Sequence, residues 1–185
     1  KHGMCQFIEG ARMCMIKGGT NAIQSLELVG RKLGKDNSKH ALAFFEIITS
    51  FINENKDNLP LNDKFLERLK LGSKDLQAAS LYFMQNGIKN PYDALAGSYD
   101  FMHMMGHVCL GLMWSRMAKI SMKQLELNCS NSAFYKKKIK TDEFYMQRWM
   151  PLTSLHQNRI KSGSNTITPN MSLITLRHLR PSTPV

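Results

Sequence analysis

The sequence predicts an all-α protein, an up-down bundle of about five helices, one of them long, with an irregular N-terminal segment and a mobile C-terminal tail. Three observations carry this. Thirteen Met against six Pro in 185 residues favour long helices, because Met is a good helix former and an interior Pro breaks the hydrogen-bond ladder. Apolar residues recur at helical spacing through most of the chain. After Asn90-Pro91 the sequence runs to Leu127 without another proline or a turn cluster.

The elements follow in order. Thr20, after Gly18-Gly19, can cap a helix carrying Ile23, Leu26, Val29 and Leu33, which Gly34 stops. Asp36 or Ser38 opens a second, with Ala41, Leu42, Phe45, Ile48, Phe51 and Ile52 on one stripe, ended by the Asn-rich 53–58 stretch and Leu59-Pro60. Asn62 or Asp63 caps a third, through Phe65, Leu69, Leu76 and Phe83, which closes at Asn86-Gly87. The long fourth helix starts at Pro91, a residue preorganised for the first helical position. A fifth begins near 130–132 and bends at Pro151 on its way to Ile160. The Ser, Thr, Asn and Pro of 163–185 show no sustained period and read as a mobile tail.

Composition narrows the function classes. Apolar residues at 43% and charged residues at 21% are ordinary globular usage, which excludes a fibre or a disordered chain. Cys5, Cys14, Cys109 and Cys129 are widely spaced, so reduced thiols and a cytoplasmic location are expected rather than a disulfide scaffold. No apolar run approaches the roughly 18 residues of a membrane span; the 101–114 stretch is interrupted by His103, His107 and two glycines. The net charge of +11 favours encounter with phosphate-bearing partners but says nothing about fold. Lys1-His2-Gly3 reads as the cut edge of a longer protein.

Lys17-Gly18-Gly19-Thr20-Asn21 is a glycine turn leading into a helix, a place where unpaired backbone N–H groups and the helix dipole face an anion. Taken alone, it reads most simply as a helix cap. The stretch from Ala11 to Leu33, ARMCMIKGGTNAIQSLELVGRKL, resembles without a gap a segment of the acyl-CoA dehydrogenase family that runs approximately D-A-R-I-x-x-I-Y-E-G-T-N-G-I-Q-A-x-D-L-V-G-R-K-L. The run Phe134–Tyr145 more loosely resembles the closing helix of the domain that one branch appends, the branch of methylthiopropanoyl-CoA and very large fatty-acyl-CoA dehydrogenases.

The resemblance implies a parent enzyme that uses FAD to oxidise the Cα–Cβ bond of an acyl-CoA thioester, with an electron-transfer acceptor and homo-oligomeric assembly. It places residues 1–34 at the end of the family's helical bundle and 35–162 in the appended domain. It assigns flavin contacts to Gly19, Thr20, Asn21 and Gln24. Gly18 stands where most members carry the catalytic Glu, and it has no group to accept a proton. Glu9-Gly10 and Lys17 also replace the usual Arg-Asp and Tyr. The resemblance therefore implies a base moved elsewhere or a degenerate enzyme, and a fragment inactive alone; a non-catalytic helical interaction or oligomerisation module is the alternative.

Other constellations point to packing. His103 and His107 share a helix face but lack an evident third ligand, and Met104 replaces the Glu of a zinc-protease helix, so no metal is expected. Met102, Met104, Met105, Met113 and Met117 read as core filler. Lys136–Lys138 and Lys140 read as a solvated face, with Phe134, Tyr135, Phe144 and Tyr145 turned to the core, so no nucleic-acid partner is expected.

Overall fold

In the computed structural model the described residues are 4–87, 89–127 and 130–164, and among them the structure is helical throughout, with no strand. The long helix α6 (Pro91–Glu126) is the axis. Asn90 accepts a hydrogen bond from the Tyr92 N–H through its side chain, and Pro91 follows in the first turn, as the sequence predicts. Against α6 pack α5 (Glu67–Asn86), α7 (Ser132–Arg148), α8 (Leu152–Lys161) and the short α2 (Asn21–Glu27).

The core lies where α5, α6 and the α7–α8 corner meet. Leu69, Leu76, Phe101, Met104, Val108, Met146, Met150 and Ile160 are all buried there. Phe83 and Phe101 pack edge to face with centroids 5.4 Å apart, the arrangement that ring quadrupoles favour. Met150 fills a slot made by two glycines: a Cβ at Gly72 would lie 2.5 Å from its Cε, and one at Gly111 would lie 2.6 Å from its Sδ. The gap in side chains on both helices lets the corner before Pro151 seat deeply.

Several expectations change. The irregular start is instead the helix α1 (Met4–Lys17), none of whose residues is buried. Its apolar residues are exposed, so they form no core-facing stripe from which a period could be read. The expected apolar stripe holds in its second half, where Leu33 is buried and Val29 packs on the core, but within α2 Ile23 and Leu26 are exposed, while Ser25 is buried and its hydroxyl lies 3.2 Å from that of Ser98 on α6. α2 then widens into a π turn at Leu28–Lys32 before Gly34.

The chain enters α3 (Lys39–Asn55) through three successive left-handed residues, Asp36, Asn37 and Ser38, and Ser38 makes no capping bond. On the α3 stripe Ile48 and Phe51 are buried but Leu42 is exposed. Leu59-Pro60 does not merely end the second helix; it starts the next. Asn58 caps the short α4 (Leu59–Leu61) by accepting from the Leu61 N–H, and a π turn at Asn62–Leu66 joins it to α5. Neither Asn62 nor Asp63 caps the start of a helix; Asn62 instead closes α4 at its C-terminal end.

Pro151 separates α7 from α8 rather than bending one helix, and Asp75 of α5 receives the hydroxyls of Thr153 and Ser154 in the first turn of α8. Gly163, at φ +63°, and Ser164 close α8 onto the start of α6, where the Ser164 N–H donates to Asp93 Oδ1 at 2.7 Å. These two residues, expected as the start of the tail, belong to the packed structure; residues 165–185 lie outside the described ones.

Candidate functional site

The turn between α1 and α2 brings together all of Gly18, Gly19, Thr20, Asn21 and Gln24. Gly19 adopts φ +83°, a conformation that glycine reaches without a Cβ penalty. Thr20 is the N-cap of α2, extended at φ −69° and ψ 153°, and its Oγ1 accepts from the Ile23 N–H at 3.3 Å. The Gln24 side-chain amide donates to the Gly18 carbonyl and closes the turn. The N–H groups of Asn21 and Ala22, in the first helical turn, have no place in the helical ladder and remain donors for a ligand.

Every one of these residues is exposed. α2 presents the turn because its opposite side is fixed to α6 through Ser25, Leu28 and Val29. The turn can therefore offer backbone donors and the hydroxyl of Thr20 to an anionic or carbonyl-bearing group. It cannot enclose one, for no other described element stands over it. At Gly18 an added Cβ would lie 2.6 Å from the carbonyl oxygen of Cys14, so a Glu there requires the end of α1 to change shape.

His103 and His107 acquire a neighbour that the sequence did not suggest. His156 of α8 lies nearly parallel to both, with centroids 6.0 and 5.6 Å away. Its Nδ1 is 2.7 Å from Asp100 Oδ1, and Arg159 reaches the same oxygen at 3.5 Å. The stacked rings do not converge on a point: among the described residues no group of three or more His, Cys, Asp or Glu is set to hold a metal ion. Burial, then the neighbouring His156 and His103, holds the His107 pKa below its ordinary value. No sequence signal joins positions 103, 107 and 156, since α7 intervenes.

The other expected groups divide. Met104 is core, Met102, Met105 and Met117 are half-buried, and Met113 is exposed. Tyr145 is buried and Tyr135 half-buried, but Phe134 and Phe144 face outward, against the expectation that all four aromatics turn to the core. Lys138 lies over the Trp114 ring at 4.3 Å, which couples part of the basic run to the bundle. Cys5, Cys14 and Cys109 are free thiols; Cys129 lies outside the described residues. Asp142 is fully buried with both carboxylate oxygens unpartnered, and burial raises its pKa to about 6 against the opposing pull of Lys138. An open groove of about 560 Å³ between α3 and α5 is lined by Leu42, Phe45, Leu81 and Met84, away from the glycine turn.

Comparison with known proteins gives concordant matches. A family model described as acetyl-CoA dehydrogenase C-terminal like matches residues 44–169, well over half of the chain. A 3-methylmercaptopropionyl-CoA dehydrogenase of Ruegeria pomeroyi is 27% identical over 171 residues, which is 91% of this chain and 29% of that protein. A broad-specificity linear acyl-CoA dehydrogenase of Mycobacterium tuberculosis is 24% identical over 169 residues, 88% of this chain and 28% of that protein. The chain thus spans under a third of the length of these curated relatives.

Proposed function

We infer, from the premise that this chain belongs to the acetyl-CoA dehydrogenase C-terminal-like family and is the carboxy-terminal part of an acyl-CoA dehydrogenase, that it serves an FAD-dependent enzyme acting on acyl-CoA thioesters. The observation that carries this is the Thr20-capped turn, exposed and rich in donors, within the segment 11–33 that resembles the family. FAD, when bound, supplies the hydride-accepting chemistry of Cα–Cβ oxidation.

This chain's own residues contribute binding. Gly19 lets the backbone approach the ligand closely, the Asn21 and Ala22 N–H groups donate, and the Thr20 hydroxyl keeps its proton free while its oxygen accepts from Ile23. Gln24 acts through the turn, holding the Gly18 carbonyl. Gly18 removes no proton, so the α-proton of the substrate falls to a base outside these residues. Residues 1–34 act as the remnant of the family bundle and 35–162 as the appended domain. Homo-oligomeric assembly, an electron-transfer acceptor and a cytoplasmic setting complete the reading.

The isolated chain is expected to purify without flavin and to oxidise no acyl-CoA, because an exposed turn supplies few of the contacts needed to order so large a ligand. Flavin absorbance co-eluting near one equivalent contradicts this. In the full-length parent, Thr20→Val should weaken FAD retention about tenfold through one lost hydrogen bond; unchanged retention removes Thr20 from the site.

A second reading, a helical interaction or oligomerisation module without catalysis, is favoured by α1, whose Phe7 and Ile16 are each 74% exposed. A full-length parent that binds flavin but turns over no acyl-CoA selects it.

A further inference from the structure

The stack of His103, His107 and His156 joins α8 to α6, and its charge balance is uneven. Of the three imidazoles His156 alone reaches a carboxylate among the described residues, Asp100 at 2.7 Å, which Arg159 also engages at 3.5 Å. His103 Nε2 is buried without a hydrogen-bond partner, and the ring lies 4.4 Å from that of Tyr99. His107 is flanked by Trp149 at 5.9 Å and lies beneath Tyr145, whose hydroxyl donates to the His107 carbonyl at 3.1 Å. From α5 the carboxylate that reaches α8 is Asp75, and it is taken by Thr153 and Ser154. Asp93, at the start of α6, is taken by Ser164 and Tyr82.

We propose that this stack is an acid-sensitive latch that holds α8 on α6 while no more than one of its imidazoles carries a proton and releases it when a second does. One proton can sit on His156, directly against Asp100, and it strengthens that contact. A second, on His107, has no carboxylate to face and lies 5.6 Å from the first, ring to ring, in a half-buried place where like charges are poorly screened. The depressed pKa of His107, caused first by burial and then by its two histidine neighbours, is the same effect seen from the folded side.

The sign follows from linkage. A histidine whose folded pKa lies below its unfolded one binds fewer protons when folded, so it destabilises the fold as pH drops through about 6.5. Release would be local. α8 is ten residues long and contacts α5 and α6, whereas α3 takes no part in the stack.

The test is hydrogen exchange on the 185-residue chain at about pH 7.5 and about pH 5.0, corrected for intrinsic rates. Protection of the α8 amides is expected to fall about tenfold or more at the lower pH, while α3 changes less than about twofold. His107→Gln is expected to remove most of that difference. Equal protection of α8 at both pH values, loss of α3 together with α8, or an undiminished response in a folded His107→Gln variant would each overturn the latch. Should His107→Gln not fold, imidazole proton NMR of the unaltered chain decides: titration of His107 below the ordinary histidine value supports it, and titration at or above that value overturns it.

Discussion

Met150 shows how one residue can fix a corner. Its thioether occupies space that Gly72 and Gly111 leave empty, and its side chain has no route to solvent. Gly111→Ala should gain up to about 1 kcal/mol of helix propensity and lose about 1–3 kcal/mol through overpacking, for a net loss of stability. Met150→Ala should cost about 2–5 kcal/mol by opening the slot. In that background Gly111→Ala should become stabilising, since the clash is gone and the propensity gain remains. Denaturant midpoints of the four proteins check the reversal of sign. Asp142 offers a second residue-scale expectation. Its carboxyl is raised to about 6 by burial, so between about pH 4 and pH 6 the unfolded chain has lost a proton that the folded chain keeps. Its contribution therefore falls as pH rises through that range, by roughly 3 kcal/mol, and the full penalty stands above about pH 6. In a comparison of Asp142→Asn with the unaltered chain across pH, the stability difference should shift in favour of the variant as pH rises; a constant difference would mean that Asp142 ionises as it does in water. Neither residue was legible in the sequence. Asp142 sits at ordinary helical spacing beside lysines, and nothing in the sequence pairs Gly72 with Gly111, 39 positions apart, or either with Met150.

At the scale of elements, the helices with continuous patterns and clear ends were legible, above all α6, whose Asn90-Pro91 start needs only local chemistry. The errors fall where local chemistry and packing part. α1 carries apolar residues of which none is buried, so periodicity could not reveal it. α2 turns Ser25, rather than Ile23, to α6 because two serine hydroxyls meet there. The Asn58 cap was obscured by Leu59-Pro60, which stops one helix and begins another equally well. The glycine turn was found by sequence, but the setting of Gly18 was not: α1 ends with the Cys14 carbonyl against the place a Cβ would take. Because Phe7 and Ile16 of α1 are both largely exposed, Phe7→Ser combined with Ile16→Ser should leave stability within about 0.5 kcal/mol, as at ordinary surface sites. A larger loss would show that α1 docks in solution. If the chain self-associates through α1, the same double change should reduce that association in sedimentation, since it removes two exposed apolar side chains.

For the molecule as a whole, the arrangement about α6 separates a tightly filled centre from a loosely attached margin formed by α1 and the glycine turn. The margin carries the proposed flavin contacts; the centre carries the residues that hold the fold. This division lets a change such as Thr20→Val act on a ligand without disturbing the bundle, whereas the histidine stack lies within the centre and escaped the sequence because α7 separates its members along the chain. The methionines report the same division chemically. Met104, Met146 and Met150 are buried to 2% exposure or less, whereas Met15 is 79% exposed. A mild oxidant should convert Met15 to its sulfoxide while the three buried thioethers stay reduced, and a sulfoxide at Met150, too polar for a slot walled by glycine backbone and apolar side chains, would mark molecules whose α7–α8 corner had already opened.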